Sequence, residues 1–388
     1  MEKKIKIAGV ATKAQGIKWF MLDNLRYAAK NGFESYIICE LSDMFDGESL
    51  AGITYLPQKM SRGNVSPLEV IKSVRMLYKV FKKEKFDIVQ YTSSNAALYG
   101  SIASWLARVP VRIYCQWGIS YTDYTGIKKW FYKTMVKVTC LFSTRVQPDS
   151  FGNLEFATAE KLYSRKKGNV IFHGSACGVD LKKFNISKKE KWSEEIRNEY
   201  DIPHNDRVLG FVGRIVPEKG INELLEAFMS LDSDNDVSLF IVGPYYETER
   251  LNQEIFKKAQ EHPKIHFTGS VSNPAKFYAA FDFFVFPSYR EGFGSVALEA
   301  AAFGVPTIVS NIKGPTEFIH HGENGIVCEA KSTDSLRGAM KDALSMDTGE
   351  YARLSQNCYN KVKDEFDSQL YQCEFVKDRL KLYKESQK

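Results

Sequence analysis

Long hydrophobic runs are missing from this sequence. Of its 388 residues 44% are hydrophobic and 26% charged, an ordinary globular balance in a chain long enough for two domains. No uncharged apolar stretch approaches the roughly eighteen residues of a membrane-spanning helix. Residues 1–7 lead straight into a strand pattern instead of a signal-peptide core, so the expectation is a soluble, cytoplasmic protein. Cysteine is scarce: seven residues, at 39, 115, 140, 177, 328, 358 and 373, scattered, odd in number and never in Cys-x-x-Cys spacing. That pattern argues against a disulfide framework or a zinc site and suits reduced thiols. The first strand is not followed by G-x-G-x-x-G; Gly9-Val10-Ala11-Thr12-Lys13-Ala14-Gln15-Gly16-Ile17 stands there. A dehydrogenase-type dinucleotide needs those glycines for close approach of its pyrophosphate, so this absence argues against one.

What is present is a regular alternation. Residues 4–10, 35–39, 53–56, 87–91, 111–116, 145–147 and 170–172 read as strands, with amphipathic segments such as 21–30 and 67–83 between them. A lysine-rich polar stretch, 182–206, interrupts the pattern, and a second series follows at 208–212, 237–242, 264–268, 282–286, 306–309 and 325–328. Alternating strands and helices predict parallel sheets, hence an α/β fold with two Rossmann-like domains facing a central cleft. The expected bounds are 1–180 for the first domain, 181–206 for a linker, 207–363 for the second domain and 364–388 for a terminal helix. Charge divides along the same line: residues 1–180 carry 26 Lys and Arg against 15 Asp and Glu, and 181–388 carry 27 against 32. The basic half calls for an acidic partner.

The chain is organised around residues 281–306. Phe281-Asp282-Phe283-Phe284-Val285 reads as a buried strand, and Gly292 and Gly294 allow a loop backbone to approach a ligand. Ser295 is the expected N-cap of the Ala-rich helix that ends at Gly304 before Pro306. The start of such a helix, with unpaired N–H groups at the positive end of the dipole, is a site for a phosphate. Two acids flank it, Glu291 in the loop and Glu299 in the helix. Carboxylates beside a phosphate site serve to bind hydroxyls, so a sugar at one end and a ribose at the other would fit. A helix-start acid stabilised by the dipole alone would account for Glu299 as well.

Glu291 and Glu299, with seven residues between them and Gly-Phe-Gly after the first, resemble the E-x7-E signature of family 4 retaining glycosyltransferases of the GT-B fold. In that family the first Glu contacts the donor sugar and the second the nucleotide ribose. The resemblance continues in Gly210-Phe211-Val212-Gly213-Arg214-Ile215-Val216-Pro217-Glu218-Lys219-Gly220-Ile221. It implies that Arg214 and Lys219, after Gly213, hold the donor diphosphate. Two fixed cations there stabilise the leaving group as charge builds on it, with no metal ion; a surface Arg and Lys in a turn is the plainer alternative. Gly269-Ser270-Val271 matches the place where the family holds the nucleotide base through the backbone, so Val271 joins Gly292, Phe293, Gly294, Ser295 and Glu299 as donor-binding candidates. Gly16 would close against the diphosphate from the first domain. Gly314-Pro315-Thr316-Glu317 resembles a further family loop and is assigned no chemistry.

Less specific matches at Met60-Ser61-Arg62-Gly63-Asn64-Val65-Ser66-Pro67, Val109-Pro110-Val111-Arg112-Ile113-Tyr114 and Gly174-Ser175-Ala176-Cys177-Gly178-Val179-Asp180-Leu181 resemble members of bacterial capsule, exopolysaccharide and O-antigen assembly. Where many members end a strand of the first domain with His-Gly, Gln116-Trp117-Gly118 stands here, and none of the six histidines falls at that place. Gln116 and Trp117 are therefore the candidate sugar contacts, and the donor sugar is the property this departure puts in question. Asp232-Ser233-Asp234-Asn235-Asp236 imitates an Asp-x-Asp metal motif and the start of an EF-hand, but an EF-hand needs Gly at the sixth place and Glu at the twelfth, where Val237 and Gly243 stand. A solvated turn is the reading.

On the acceptor side, Gly126-Ile127-Lys128-Lys129-Trp130-Phe131-Tyr132-Lys133-Thr134-Met135-Val136-Lys137-Val138 interleaves lysines and aromatics, as does Ile17-Lys18-Trp19-Phe20-Met21. The mixture suits an anionic membrane surface, with Lys128, Lys129, Lys133 and Lys137 toward lipid and Trp130 and Phe131 inserted. An ordinary amphipathic core helix would carry the same pattern. No nucleic-acid motif accompanies the charge. The resemblance implies a cytoplasmic, peripheral enzyme of the membrane's inner face, transferring a hexosyl or N-acetylhexosaminyl group from a UDP-linked sugar to a lipid-linked saccharide and needing no other cofactor. A nucleotide-sugar-binding scaffold without turnover is the alternative. The terminal helix, by the same resemblance, crosses back onto the first domain.

Overall fold

Among the residues described by a computed structural model, 4–45, 50–63, 66–231 and 236–388, twelve strands form two six-stranded parallel sheets. The first sheet holds β1 (Ile5–Val10), β2 (Phe33–Cys39), β3 (Ile53–Pro57), β4 (Ile88–Tyr91), β5 (Val111–Gln116) and β6 (Arg145–Pro148), in the order 3-2-1-4-5-6. The second holds β7 (Arg207–Val212), β8 (Val237–Val242), β9 (Ile265–Gly269), β10 (Phe283–Phe286), β11 (Thr307–Ser310) and β12 (Gly325–Cys328), in the order 12-11-10-7-8-9. Both are Rossmann-like: strand order reverses once in each, between β1 and β4 and between β7 and β10. Ligands of such sheets bind beyond the carboxyl ends of the strands at that reversal.

The chain forms two compact units, Met1–Cys177 with Gln369–Lys388, and Gly178–Ser368. In the first, alternation along the strands sets the packing. Ala8 and Val10 of β1 bury with Val74, Leu77 and Phe81 of the helix Pro67–Glu84 and with Val136 of the helix Gly126–Phe142. Ile7 faces the other way, toward Ile17, Leu25, Tyr371 and Phe375. A slip of one residue would exchange the two sets, so each buried side chain, contributing about 1.5–3 kcal/mol, also holds the register. The helix Pro67–Glu84 starts on a capping box between Ser66 and Glu69 with Pro67 at its first position, which fixes its entry.

The terminal helix, Ser368–Ser386, packs within the first unit through Tyr371, Phe375, Val376 and Leu382. Arg379, 1% exposed, is its polar anchor. The guanidinium donates to Gln90 Oε1 from Nε and Nη2 at 3.1 and 2.9 Å and to Gln147 Oε1 at 2.6 Å, with Asp378 as its counterion. A turn of π-helix, Val362–Phe366, precedes this helix, and Asp367 pairs in a parallel bridge with Val179.

Three readings of the sequence need correction. Residues 170–172 are not a strand. Phe172 has φ +52° and the N–H of Gly174 returns to the carbonyl of Ile171 at 3.0 Å, so the segment turns, and the apolar run reflects burial of Ile171 in the core. The segment after β1, for which the sequence reading named no helix before residue 21, is helical over Ala14–Phe20, because Ala14 and Ile17 find a core to bury in. The polar stretch 182–206 contains a helix, Lys189–Glu199, whose Ile196 joins the second unit's core.

Candidate active site

The site is built in the second unit where β7 and β10 lie side by side. β10, Phe-Phe-Val-Phe, is buried throughout and delivers the chain to the loop 287–294. Gly294, at φ +90°, ψ 49°, is the N-cap of the helix Ser295–Ala301. An L-residue is strained there, and its Cβ would stand 3.0 Å from Pro315 Cγ and 3.1 Å from Phe286 Cε1. Ser295 is thus the first helical residue and not the cap, a correction that follows from the left-handed turn. Among the described residues no side chain caps this helix; the N–H of Ala297 returns to the carbonyl of Gly294 at 2.9 Å, which leaves those of Ser295 and Val296 for a ligand anion. The ring of Phe293 is buried against Phe366, 5.4 Å between centroids, which leaves only its backbone for a donor.

From β7 come the two cations. Lys219 closes the 3-10 turn Pro217–Lys219 and forms an ion pair with Glu291, the two side chains 20% and 14% exposed. Its ammonium also lies 5.2 Å from the centroid of the Phe286 ring. The two loops are fastened along their length. The N–H of Tyr289 donates to the carbonyl of Glu218 at 2.9 Å, and the Tyr289 hydroxyl donates to Glu223 at 2.6 Å. Gly220, at φ +71°, sits so close that a Cβ would come within 2.2 Å of the Pro287 carbonyl oxygen. Lys219 and Glu291 are therefore set by the backbone and not by side-chain rotamers alone.

Arg214, exposed at the end of β7, holds its guanidinium 5.3 Å from the centroid of the Tyr246 ring. Glu218 lies below its ordinary carboxylate value: burial pushes it up, but hydrogen bonding and charge from Arg250 and the charge of Arg214 together outweigh burial. Gly213 ends the β7 pairing, its N–H on the carbonyl of Val242 at 2.9 Å. Val271 is half-buried in the loop after β9. Gly292 is buttressed from behind, since a Cβ on Gly314 would stand 2.4 Å from its carbonyl oxygen.

Glu299 lies one helical turn beyond Ser295. Its Oε2 accepts a hydrogen bond of 2.9 Å from the hydroxyl of Tyr278, a residue of 0% exposure. Burial raises the Glu299 carboxyl above its ordinary value, and Tyr278 and then Lys183 oppose the rise.

The remaining candidates belong to the first unit. Gly16 is the third residue of the helix Ala14–Phe20. Gln116, 1% exposed, ends β5; its Oε1 accepts from the Tyr163 hydroxyl at 3.1 Å and its Nε2 has no partner among the described residues. Trp117 is half-buried against Phe20, 5.1 Å between ring centroids. In the helix Gly126–Phe142, Lys133 does not face outward: it pairs with Glu160 at 2.6 Å and lies over Tyr121. Lys128, Lys129 and Lys137 are exposed, together with Ile127, Trp130, Phe131 and Leu141. Residues 232–235 of the Asp-rich stretch lie outside the described residues. Among those described, no three His, Cys, Asp or Glu side chains gather to hold a metal ion, and no helix is long and apolar enough to cross a membrane.

Sequence reasoning missed Tyr289, Glu223, Tyr246, Arg250 and Tyr278. Each acts by touching a motif residue from another segment, and only a fold brings those segments together.

The same two-sheet architecture occurs in known proteins. Residues 193–361 match the model for glycosyl transferases group 1, and residues 6–150 match that for glycosyl transferase 4-like domains. The chain is a family 4 glycosyltransferase of the GT-B fold. It is 29% identical, over 94% of its length and 93% of the other's, to the UDP-Gal:alpha-D-GlcNAc-diphosphoundecaprenol alpha-1,3-galactosyltransferase of Escherichia coli. It is 28% identical, over 77% and 78%, to a capsular polysaccharide biosynthesis glycosyltransferase of Staphylococcus aureus. An Anabaena protein crystallised with UDP and glucose superposes with a TM-score of 0.79 at 18% identity, covering 97% of this chain and 100% of that one. In this glycosyltransferase, then, the E-x7-E residues and the β7 cations lie on two adjoining loops of the second unit.

Proposed function

We propose that this glycosyltransferase moves a hexosyl or N-acetylhexosaminyl group, with retention, from a UDP-linked sugar to a lipid-linked saccharide in bacterial surface polysaccharide synthesis. The observation that carries the reading is the Lys219–Glu291 pair, a cation for a diphosphate and a carboxylate for sugar hydroxyls, fixed beside an uncapped helix start. The relatives support the substrates: the Escherichia coli enzyme is named for a UDP-sugar donor and a diphosphoundecaprenol acceptor.

Each residue has a role in this reading. Glu291 and the backbone of Gly292 to Gly294 orient the sugar, and Phe293 holds that backbone by its buried ring. Arg214, Lys219, Gly213 and the Ser295 helix start hold the diphosphate, with Gly16 approaching it from the first domain. Glu299 takes the ribose hydroxyls and Val271 the base, while Gln116 and Trp117 contact the sugar. The acceptor oxygen forms its bond to the anomeric carbon on the face from which the bond to phosphate breaks. Its proton passes to the departing phosphate oxygen. Charge on that oxygen is stabilised by Arg214 and Lys219, which removes the need for a divalent ion. The first domain, 1–180, is the acceptor side, joined through 181–206 to the donor domain 207–363 and completed by the helix in 364–388.

Attachment is peripheral, at the inner face of the cell membrane. The exposed Ile127, Trp130, Phe131 and Leu141, with Lys128, Lys129 and Lys137 and no acid in the helix Gly126–Phe142, support an anionic lipid surface as the partner. The test is to incubate the protein with a panel of UDP-sugars and short lipid-linked acceptors in EDTA and to measure UDP release and product. Sugar transfer under those conditions is expected. Nucleotide binding without turnover, on any acceptor and with magnesium or manganese restored, would identify a scaffold instead.

A further inference from the structure

We propose that Tyr278 is a positioning residue for nucleotide recognition, fixing the Glu299 carboxylate so that its free oxygen meets the vicinal hydroxyls of a ribose. The inference rests on the reading of Glu299 as the ribose acceptor and adds the group that makes it selective. Tyr278 lies on the short helix Ala275–Ala280, outside the E-x7-E motif, and its ring is held on three sides by Phe184, Phe281 and Phe284 at centroid distances of 6.1, 5.9 and 5.5 Å. Within that cage, among the described residues, the hydroxyl has one hydrogen-bond partner, Glu299 Oε2 at 2.9 Å. Among the described residues Glu299 Oε1 takes no hydrogen bond, so the carboxylate is tied at one oxygen and open at the other.

The chemistry gives this tie two effects. A half-buried glutamate has several rotamers, and a fully buried donor on one oxygen selects among them before the ligand arrives, which lowers the entropy cost of recognition. The donor also favours the ionised carboxylate over the protonated one, against the burial that opposes it. The ionised form is the stronger acceptor for both hydroxyls of a diol. Lys183 is the other charged group near the carboxylate, and its favourable charge adds to the hydroxyl's hydrogen bond.

The test compares affinities for UDP and for 2′,3′-dideoxy-UDP by calorimetry in the full chain. Wild type is expected to prefer UDP clearly. Tyr278→Phe, which removes a single oxygen, is expected to lower UDP affinity about fivefold to tenfold, as loss of a hydrogen bond to a charged group would through its effect on the partner. It should leave dideoxy-UDP affinity as it was, so the preference shrinks. A general loosening of the site would weaken both ligands alike. The volume-matched pair Tyr278→Gln and Tyr278→Leu gives a second reading should the phenylalanine variant not fold: the donor-bearing side chain should retain more of the preference. An unchanged preference in folded Tyr278→Phe, or equal preferences in the matched pair, overturns the role of Tyr278 while leaving Glu299 in place. A preference that survives in Glu299→Gln overturns the reading of Glu299 and the inference with it.

Discussion

Lys219→Ala isolates the cation on which the proposed chemistry depends. This ammonium is shared between Glu291 and the face of Phe286, so its removal has consequences for stability and for catalysis that separate cleanly. On the stability side the variant leaves a carboxylate of 14% side-chain exposure without its counterion, a loss of about 1–3 kcal/mol reduced by whatever water reaches the gap. The fold should survive, because Tyr289 and Gly220 still fasten the two loops. On the catalytic side a preorganised charge is lost from the leaving group, worth about 2.7–4 kcal/mol, a hundredfold to thousandfold in turnover. The companion Glu291→Gln behaves in the opposite sense toward nucleotide: it frees Lys219 from its internal partner, so UDP should bind as well as in wild type or tighter while sugar transfer falls. The assay is UDP release at saturating donor and acceptor, with UDP affinity by calorimetry and Tm for each variant. A folded Lys219→Ala with turnover within about threefold of wild type would refute the role given to this lysine.

Three further outcomes are expected. Arg379→Leu strips Gln90 and Gln147 of their buried donor and Asp378 of its counterion, which should cost about 3–5 kcal/mol and show as a lower denaturant midpoint, with protease cutting near residue 368 before elsewhere. Because the folded-state value of Glu299 is raised, its ionisation opposes folding: the group contributes fully below its unfolded value near 4.3 and the contribution is lost as pH rises through the folded one. Glu299→Gln should therefore raise Tm at about pH 8 and do so much less at about pH 4, while weakening UDP; an equal Tm change at both would count against the assignment. Lys128→Glu with Lys129→Glu should reduce binding to anionic vesicles by roughly tenfold to thirtyfold or more at low salt, at about 1 kcal/mol per lysine, and leave transfer to a short soluble acceptor intact; wild-type vesicle binding would return the helix to an ordinary structural role.

Much of the fold was legible because its signals are local. The run Phe283 to Phe286 is apolar on both faces, as a central parallel strand must be, and Ser66 with Pro67 marks a helix start wherever it occurs. Where the reading went wrong, tertiary contacts had overridden the local signal. Ala14 and Ile17 become helical because a core waits for them, while Ile171 looks like strand because it is buried at a turn. The same division runs through the candidate site. Glu291, Glu299, Arg214 and Lys219 stand in short contiguous motifs, and the resemblance of those motifs to the family's suggested them. Their supports do not: Tyr278 is 21 residues from Glu299 and Tyr289 is 66 from Glu223, distances over which a sequence carries no pairing signal. Ser295 shows the limit within a motif, since whether it or Gly294 caps the helix depends on one backbone angle.

The excess of cations in the first half acquires meaning once those engaged in folding are set apart. Lys133 answers Glu160, and Arg112 is bound to the carbonyls of Phe142 and Val109. What remains outward on the helices Pro67–Glu84 and Gly126–Phe142, which flank the helix Ser94–Leu106, includes Lys72, Arg75, Lys79, Lys82, Lys128, Lys129 and Lys137, among the exposed Leu68, Ile71, Trp130 and Phe131. Both helices follow the sheet's alternation, so they run against the strands, and their first turns lie at the strands' carboxyl edge. Leu68, Ile71, Ile127, Trp130 and Phe131 all lie within the first two turns of those helices. A membrane met there would stand beside the edge at which Gln116 and Trp117 end β5. A lipid-linked acceptor could then enter that edge with its lipid still in the bilayer, which gives the position of the aromatics, and not only their presence, a function in the proposed reaction.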